Sequence, residues 1–96
     1  MKESQSLTND LLIEFDVLSN RLRNIKQSYK KTENKALKGR LFSENKNIFR
    51  RIKEIYKIAE LLNKNNTEKI NFSNLLVEIT KRTLNAGKFE SNLFFL

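Results

Sequence analysis

Leu41-Phe42-Ser43-Glu44-Asn45-Lys46-Asn47-Ile48-Phe49-Arg50-Arg51-Ile52-Lys53-Glu54-Ile55-Tyr56-Lys57-Ile58-Ala59-Glu60-Leu61-Leu62 sets Leu41, Ile48, Ile52, Ile55, Ala59 and Leu62 at spacings of 7, 4, 3, 4 and 3. That rhythm lays one apolar stripe along a helix and has no counterpart in a strand, whose faces alternate every second residue. Asn45 fills the seven-residue gap. An Asn on such a seam can fix register or partner number at a cost in stability; here the seam is expected to remain open to solvent at that height. Beside the stripe, Phe42, Phe49 and Tyr56 recur every seven residues, giving a face wide enough for a bundle rather than a two-stranded zipper. Between Ile55 and Leu62 apolar residues stand on most sides, so this end is expected to be the most buried.

Upstream, Leu11, Phe15, Leu18, Leu22, Ile25 and Tyr29 repeat the rhythm, with Leu12 and Val17 broadening it. They predict a first helix from near Thr8 to Tyr29 or Lys31. Asp10, Glu14 and Asp16 lie early in it and Arg21, Arg23, Lys26 and Lys30 late, complementing the helix dipole. Lys30-Lys31-Thr32-Glu33-Asn34-Lys35 has no apolar residue and reads as a reversal. Thr32 is the expected cap of a second helix starting at Glu33, with Ala36, Leu37 and Leu41 inward. Gly39 and Ser43-Glu44 leave two alternatives, one long helix to about Asn63 or a short helix followed by a longer one. Asn63-Lys64-Asn65-Asn66-Thr67 is the second polar connection.

Downstream, Ser73 is the expected N-cap of a third helix, with Phe72 and Val77 as a hydrophobic staple. Leu75, Leu76, Val77, Ile79 and Leu84 form its apolar face, and Asn85-Ala86-Gly87 its stop, with Gly87 in a left-handed cap. Lys88 to Leu96 then reads as an apolar C-terminal tail that either folds back onto the helices or docks a partner through Phe89, Leu93, Phe94, Phe95 and Leu96. The fold expected is all-α: an antiparallel bundle of three or four helices in a single domain over residues 1–96, completed, if need be, by self-association or a partner.

Composition agrees. The 96 residues suffice for one small domain, and with no Pro and 2 Gly they lack the turn residues that sheet proteins need. With no Cys and no His, disulfides, thiol nucleophiles, imidazole chemistry and Cys or His metal sites are excluded. No paired carboxylates, nucleophile with a base, or Gly-rich loop is present, so neither an enzyme nor a cofactor or small-molecule substrate is expected. With no apolar run of membrane-spanning length, an intracellular, cytoplasmic protein is expected.

The net charge is +8, concentrated in a region of net +10 from Arg21 to Lys57, while the remainder is net −2. Such a field attracts anions. Lys and Asn, at 13 each, are also what AT-rich coding produces without selection for binding. Lys46, Arg50, Lys53 and Lys57 lie about 150° round the helix from the isoleucine seam, forming a basic stripe. It is the candidate contact for an anion or a nucleic acid, since cations at helical spacing can follow phosphates. The broader expectation is a non-enzymatic adaptor, subunit or small regulator that binds another protein, or a second copy of itself, through an apolar helix face and the tail. Peripheral membrane contact through the basic region and tail is a further alternative. In layout alone, a small basic helical chain with a distinctive C-terminal tail resembles the bacteriocin immunity proteins. That resemblance rests on no motif and implies a four-helix protein acting at a membrane receptor.

Overall fold

The computed structural model describes the backbone of residues 2–65 and 72–94 and the side chains of residues 6–64 and 72–87. Three helices, α1 (Lys2–Lys31), α2 (Lys35–Asn65) and α3 (Phe72–Phe94), pack against one another, with no strand among the described residues. The chain is all-α.

The α2 stripe forms the centre. Ile52, Ile55 and Ala59 are fully buried, together with Leu76 of α3, and Ile25 of α1 is nearly so. Leu11, Phe15, Leu41 and Ile48 extend this core, with Leu18, Leu22, Tyr29, Leu62 and Leu84 partly buried against it. Each fully buried isoleucine contributes about 1.5–3 kcal/mol of transfer free energy. Asn45 is itself buried, contrary to the expectation that the seam stays open there; the neighbouring helices cover α2 a full turn nearer its start. The far end of α2 is less enclosed than expected at Leu61, which is exposed.

Several helix boundaries differ from the sequence expectations. α1 begins at Lys2, not near Thr8, and Thr8 is a buried position inside it. Thr32 ends α1: its amide donates to the Ser28 carbonyl, and its hydroxyl accepts from the Asn34 amide. Asn34 caps α2, accepting from the Leu37 amide at 3.1 Å, so α2 starts at Lys35. Ala36 and Leu37, expected inward, are exposed, and Leu41 is the first buried residue of α2. α2 runs unbroken through Gly39, beside which a β-carbon would meet nothing within 4 Å. Val17 and Leu75, placed on apolar faces by type, are also exposed.

α3 departs most. It starts at Phe72, putting Ser73 inside the first turn, where its hydroxyl donates to the Asn63 side-chain oxygen at 3.4 Å. Phe72, expected to staple the start of the helix, is exposed. Thr80 is fully buried and needs no partner from another helix, because its hydroxyl donates to the Leu76 carbonyl at 2.7 Å. Gly87 is neither a stop nor a left-handed cap: α3 continues to Phe94, and no described glycine has a positive φ. Its role is steric. A β-carbon on Gly87 would overlap the ring of Phe49, so the missing side chain is the notch that seats this ring. The supposed tail therefore belongs to α3 as far as Phe94. The side chains of Phe89, Leu93 and Phe94, and Phe95 and Leu96 altogether, lie outside the described residues.

The two glycines should respond oppositely to alanine. Gly39→Ala should stabilise by about 0.4–1 kcal/mol, since an exposed helical glycine only loses entropy on folding. Gly87→Ala must displace the Phe49 ring and should destabilise by about 1 kcal/mol net, overpacking outweighing the gain in helix propensity. Urea denaturation of the two variants checks both signs.

Candidate interaction cleft

The face of α2 turned towards α1 is held by carboxylates. Arg51 Nε and Nη2 donate to both carboxylate oxygens of Glu14, at 2.5 and 2.9 Å, and Nη1 to Glu54 at 3.0 Å. Arg21 makes the same two-pronged contact with Glu44, at 2.5 and 2.8 Å. Pairing 14 with 51 and 21 with 44 means that α1 and α2 pass in opposite senses. The two-pronged hydrogen bonds from the guanidinium groups hold the Glu14 and Glu44 carboxyls below the ordinary glutamate range. Glu44 and Glu54, two of the three acids in the basic region, are thereby spent on Arg21 and Arg51.

The stripe Lys46, Arg50, Lys53 and Lys57 has no such neutralisation. All four are exposed, and none makes an ion pair with a described residue. Together they form one wall of a cleft of about 860 Å³ between α2 and α3, whose described lining residues include none from α1. The opposite wall is Lys81, Leu84 and Asn85, one face of α3, so cations stand on both sides. Between them lie the half-buried Phe42, Phe49 and Tyr56. Glu60, at one end, is the carboxylate among the described lining residues.

Helix geometry accounts for this juxtaposition. A seven-residue step falls about 20° short of two full turns, so the three aromatics form a nearly straight row. At 100° per residue the four cations centre about 70° further round, flanking the row rather than opposing it. Their angle from the isoleucine seam is as the sequence indicates, but the seam is only one edge of a broad apolar face. The aromatic row is its other edge, and this is the signal that links Phe42, Phe49 and Tyr56 to the stripe.

The rings are already engaged. The Lys46 ammonium lies 4.7 Å from the Phe42 ring centroid, within cation–π range, and Phe49 is seated on Gly87. Asn45, Phe49 and Gly87 also line a second hollow of about 300 Å³, bounded by Ser19, Arg23 and Lys26 of α1. The Phe49 ring thus lies between the two hollows. The Ser19 hydroxyl is buried and has no hydrogen-bond partner among the described residues.

Among the described residues no helix is long and apolar enough to cross a membrane, and no His, Cys, Asp and Glu cluster could hold a metal ion. Comparison with known proteins returns no match to a family model, a curated protein or a solved structure.

The depressed carboxyls define a pH response. The unfolded chain takes up protons first, so the α1–α2 contribution is complete above the ordinary glutamate range and is lost as pH falls through the lower native values. Acid titration of the melting temperature should show this loss, and Glu14→Gln should reduce its slope. A double-mutant cycle between Glu14 and Arg51 should give a coupling of about 0.5–1 kcal/mol that shrinks with added salt, as befits a half-exposed pair.

Proposed function

We propose that this protein is a non-enzymatic interaction module, an adaptor, subunit or small regulator, that binds an acidic segment of another protein in the α2–α3 cleft. The observation that carries this reading is the sorting of charge. Two of the three acids of the basic region, Glu44 and Glu54, pair with the arginines of the α1–α2 contact, while five cations without ion pairs to described residues border an apolar floor elsewhere. Partner carboxylates over these cations would bring steering and specificity, and the floor would supply the area for affinity. The helices form an antiparallel bundle in this reading, with the partner completing its open side.

Nucleic acid would use the same cations, but it leaves the floor unexplained. Duplex phosphates need no apolar strip, and the engaged Phe42 and Phe49 rings offer poor platforms for stacked bases.

A random peptide library displayed on phage, selected against the immobilised chain and against Lys46→Glu/Arg50→Glu/Lys53→Glu/Lys57→Glu, tests the proposal. The expected outcome is enrichment of sequences combining acids with large apolar residues, on the unmodified chain only. Selection without an acidic excess, or equal selection on both proteins, would discard the cleft as the binding face. Tighter retention of a dT 20-mer than of the selected peptides, abolished by the same substitutions, would replace the reading with nucleic-acid binding.

A further inference from the structure

The cleft constrains the shape of its occupant as well as its charge. We infer that it takes an acidic amphipathic α-helix of about 18 residues lying along α2, on the side of the α2–α3 pair away from α1. This inference rests on the reading that the partner is an acidic protein segment, and it specifies that segment's conformation.

The first reason is the period of the floor. Phe42, Phe49 and Tyr56 stand seven residues apart, about 10.5 Å along α2 at 1.5 Å per residue. A seven-residue repeat is the spacing at which a second helix, crossing at a shallow angle, brings successive apolar side chains to equivalent positions. An extended strand rises about 3.3 Å per residue and turns alternate side chains away, so its apolar side chains recur about every 6.6 Å and fall out of step with the rings.

The second reason is the placement of charge on both walls. Lys46, Arg50, Lys53 and Lys57 stand on one side of the aromatic row and Lys81 on the other. The complement is an apolar strip flanked by carboxylates on both shoulders, which a helix produces by placing Glu on either side of a leucine seam. A strand with its apolar side chains in the floor points its intervening acids away from both walls. A single nucleic-acid strand has one phosphate backbone for two walls.

Length and polarity follow from the ends. From Phe42 to Glu60 the cleft follows 19 residues of α2, a rise of about 27 Å, matched by a five-turn helix. Glu60 disfavours a partner carboxylate at its end, so the acids of the docking helix belong opposite Lys46 to Lys57 and a neutral or basic residue opposite Glu60.

The test uses the full chain and three dye-labelled synthetic peptides of 18 residues: a leucine-seam helix flanked by Glu, a scrambled isomer lacking the seam, and the first sequence with two central residues as D-enantiomers. Fluorescence anisotropy should show the first binding at least tenfold more tightly than either control, and far-ultraviolet circular dichroism should show helix gained on mixing. Arg50→Glu/Lys53→Glu should weaken that binding at least tenfold with its melting temperature unchanged, both side chains being exposed. Equal binding of the D-containing peptide would overturn the helical occupant while leaving an acidic partner in place. Equal binding of the scrambled peptide would reduce the recognition to net charge and overturn the inference. No binding of the seam peptide, with acidic sequences still recovered from the phage library, would overturn the helix alone; failure of both experiments would remove the proposed function as well.

Discussion

Burial of one isoleucine face is the constraint on which the rest of the molecule depends. Ile52, Ile55 and Ala59 have no exposure because α2 is covered by α1 and α3 together, and a chain of this size has few other residues so completely enclosed. Removing either neighbour would expose part of the same seam. The polar groups admitted to this interior are accommodated locally, as when the Thr80 hydroxyl donates one turn back to the Leu76 carbonyl. Such a device lets a hydroxyl occupy a core position without a mate on another helix.

Once α2 is fixed about its axis by that seam, its remaining residues are distributed by angle alone. The edge towards α1 receives Arg51 and its carboxylates. The other edge receives the aromatic row, and the cations fall just beyond it. A formal charge of +8 spread evenly would mean little. The same charge sorted into a carboxylate-paired contact and a cleft whose cations make no ion pair with a described residue gives the surface a direction. The notch at Gly87 adds shape to charge, because a larger residue there would force Phe49 away from α3.

The three helices and the isoleucine seam were legible in the sequence because both express periodicity, the strongest signal a chain carries. The basic stripe was legible for the same reason. What the local rules missed was set by neighbours. Gly87 carries the signature of a helix stop, yet its meaning is a contact with Phe49, 38 positions earlier in the chain. Thr32 and Asn34 are both good caps by residue type, and the hydrogen bond from the Leu37 amide decides between them. Val17, Leu37 and Leu75 look like core residues, but the extent of the neighbouring helices determines which apolar positions are covered. The aromatic row could have been joined to the stripe from sequence by measuring both around the helix from a common origin. Asn45 could not be placed in that way, since its burial depends on how far the covering helices reach.

The three-residue link from Thr32 to Asn34 has a kinetic consequence. Joining α1 and α2 through so short a connection keeps their contacts close in sequence, and a loop of that order closes in well under a microsecond. The link from α2 to α3 is six residues, hardly longer, so each pair of successive helices meets through a short closure and the core needs no distant search along the chain. Because the cleft is bounded by α2 and α3 alone among the described elements, it exists only while that second pair stays docked, and any loosening of α3 would change its width before it disturbed the α1–α2 contact.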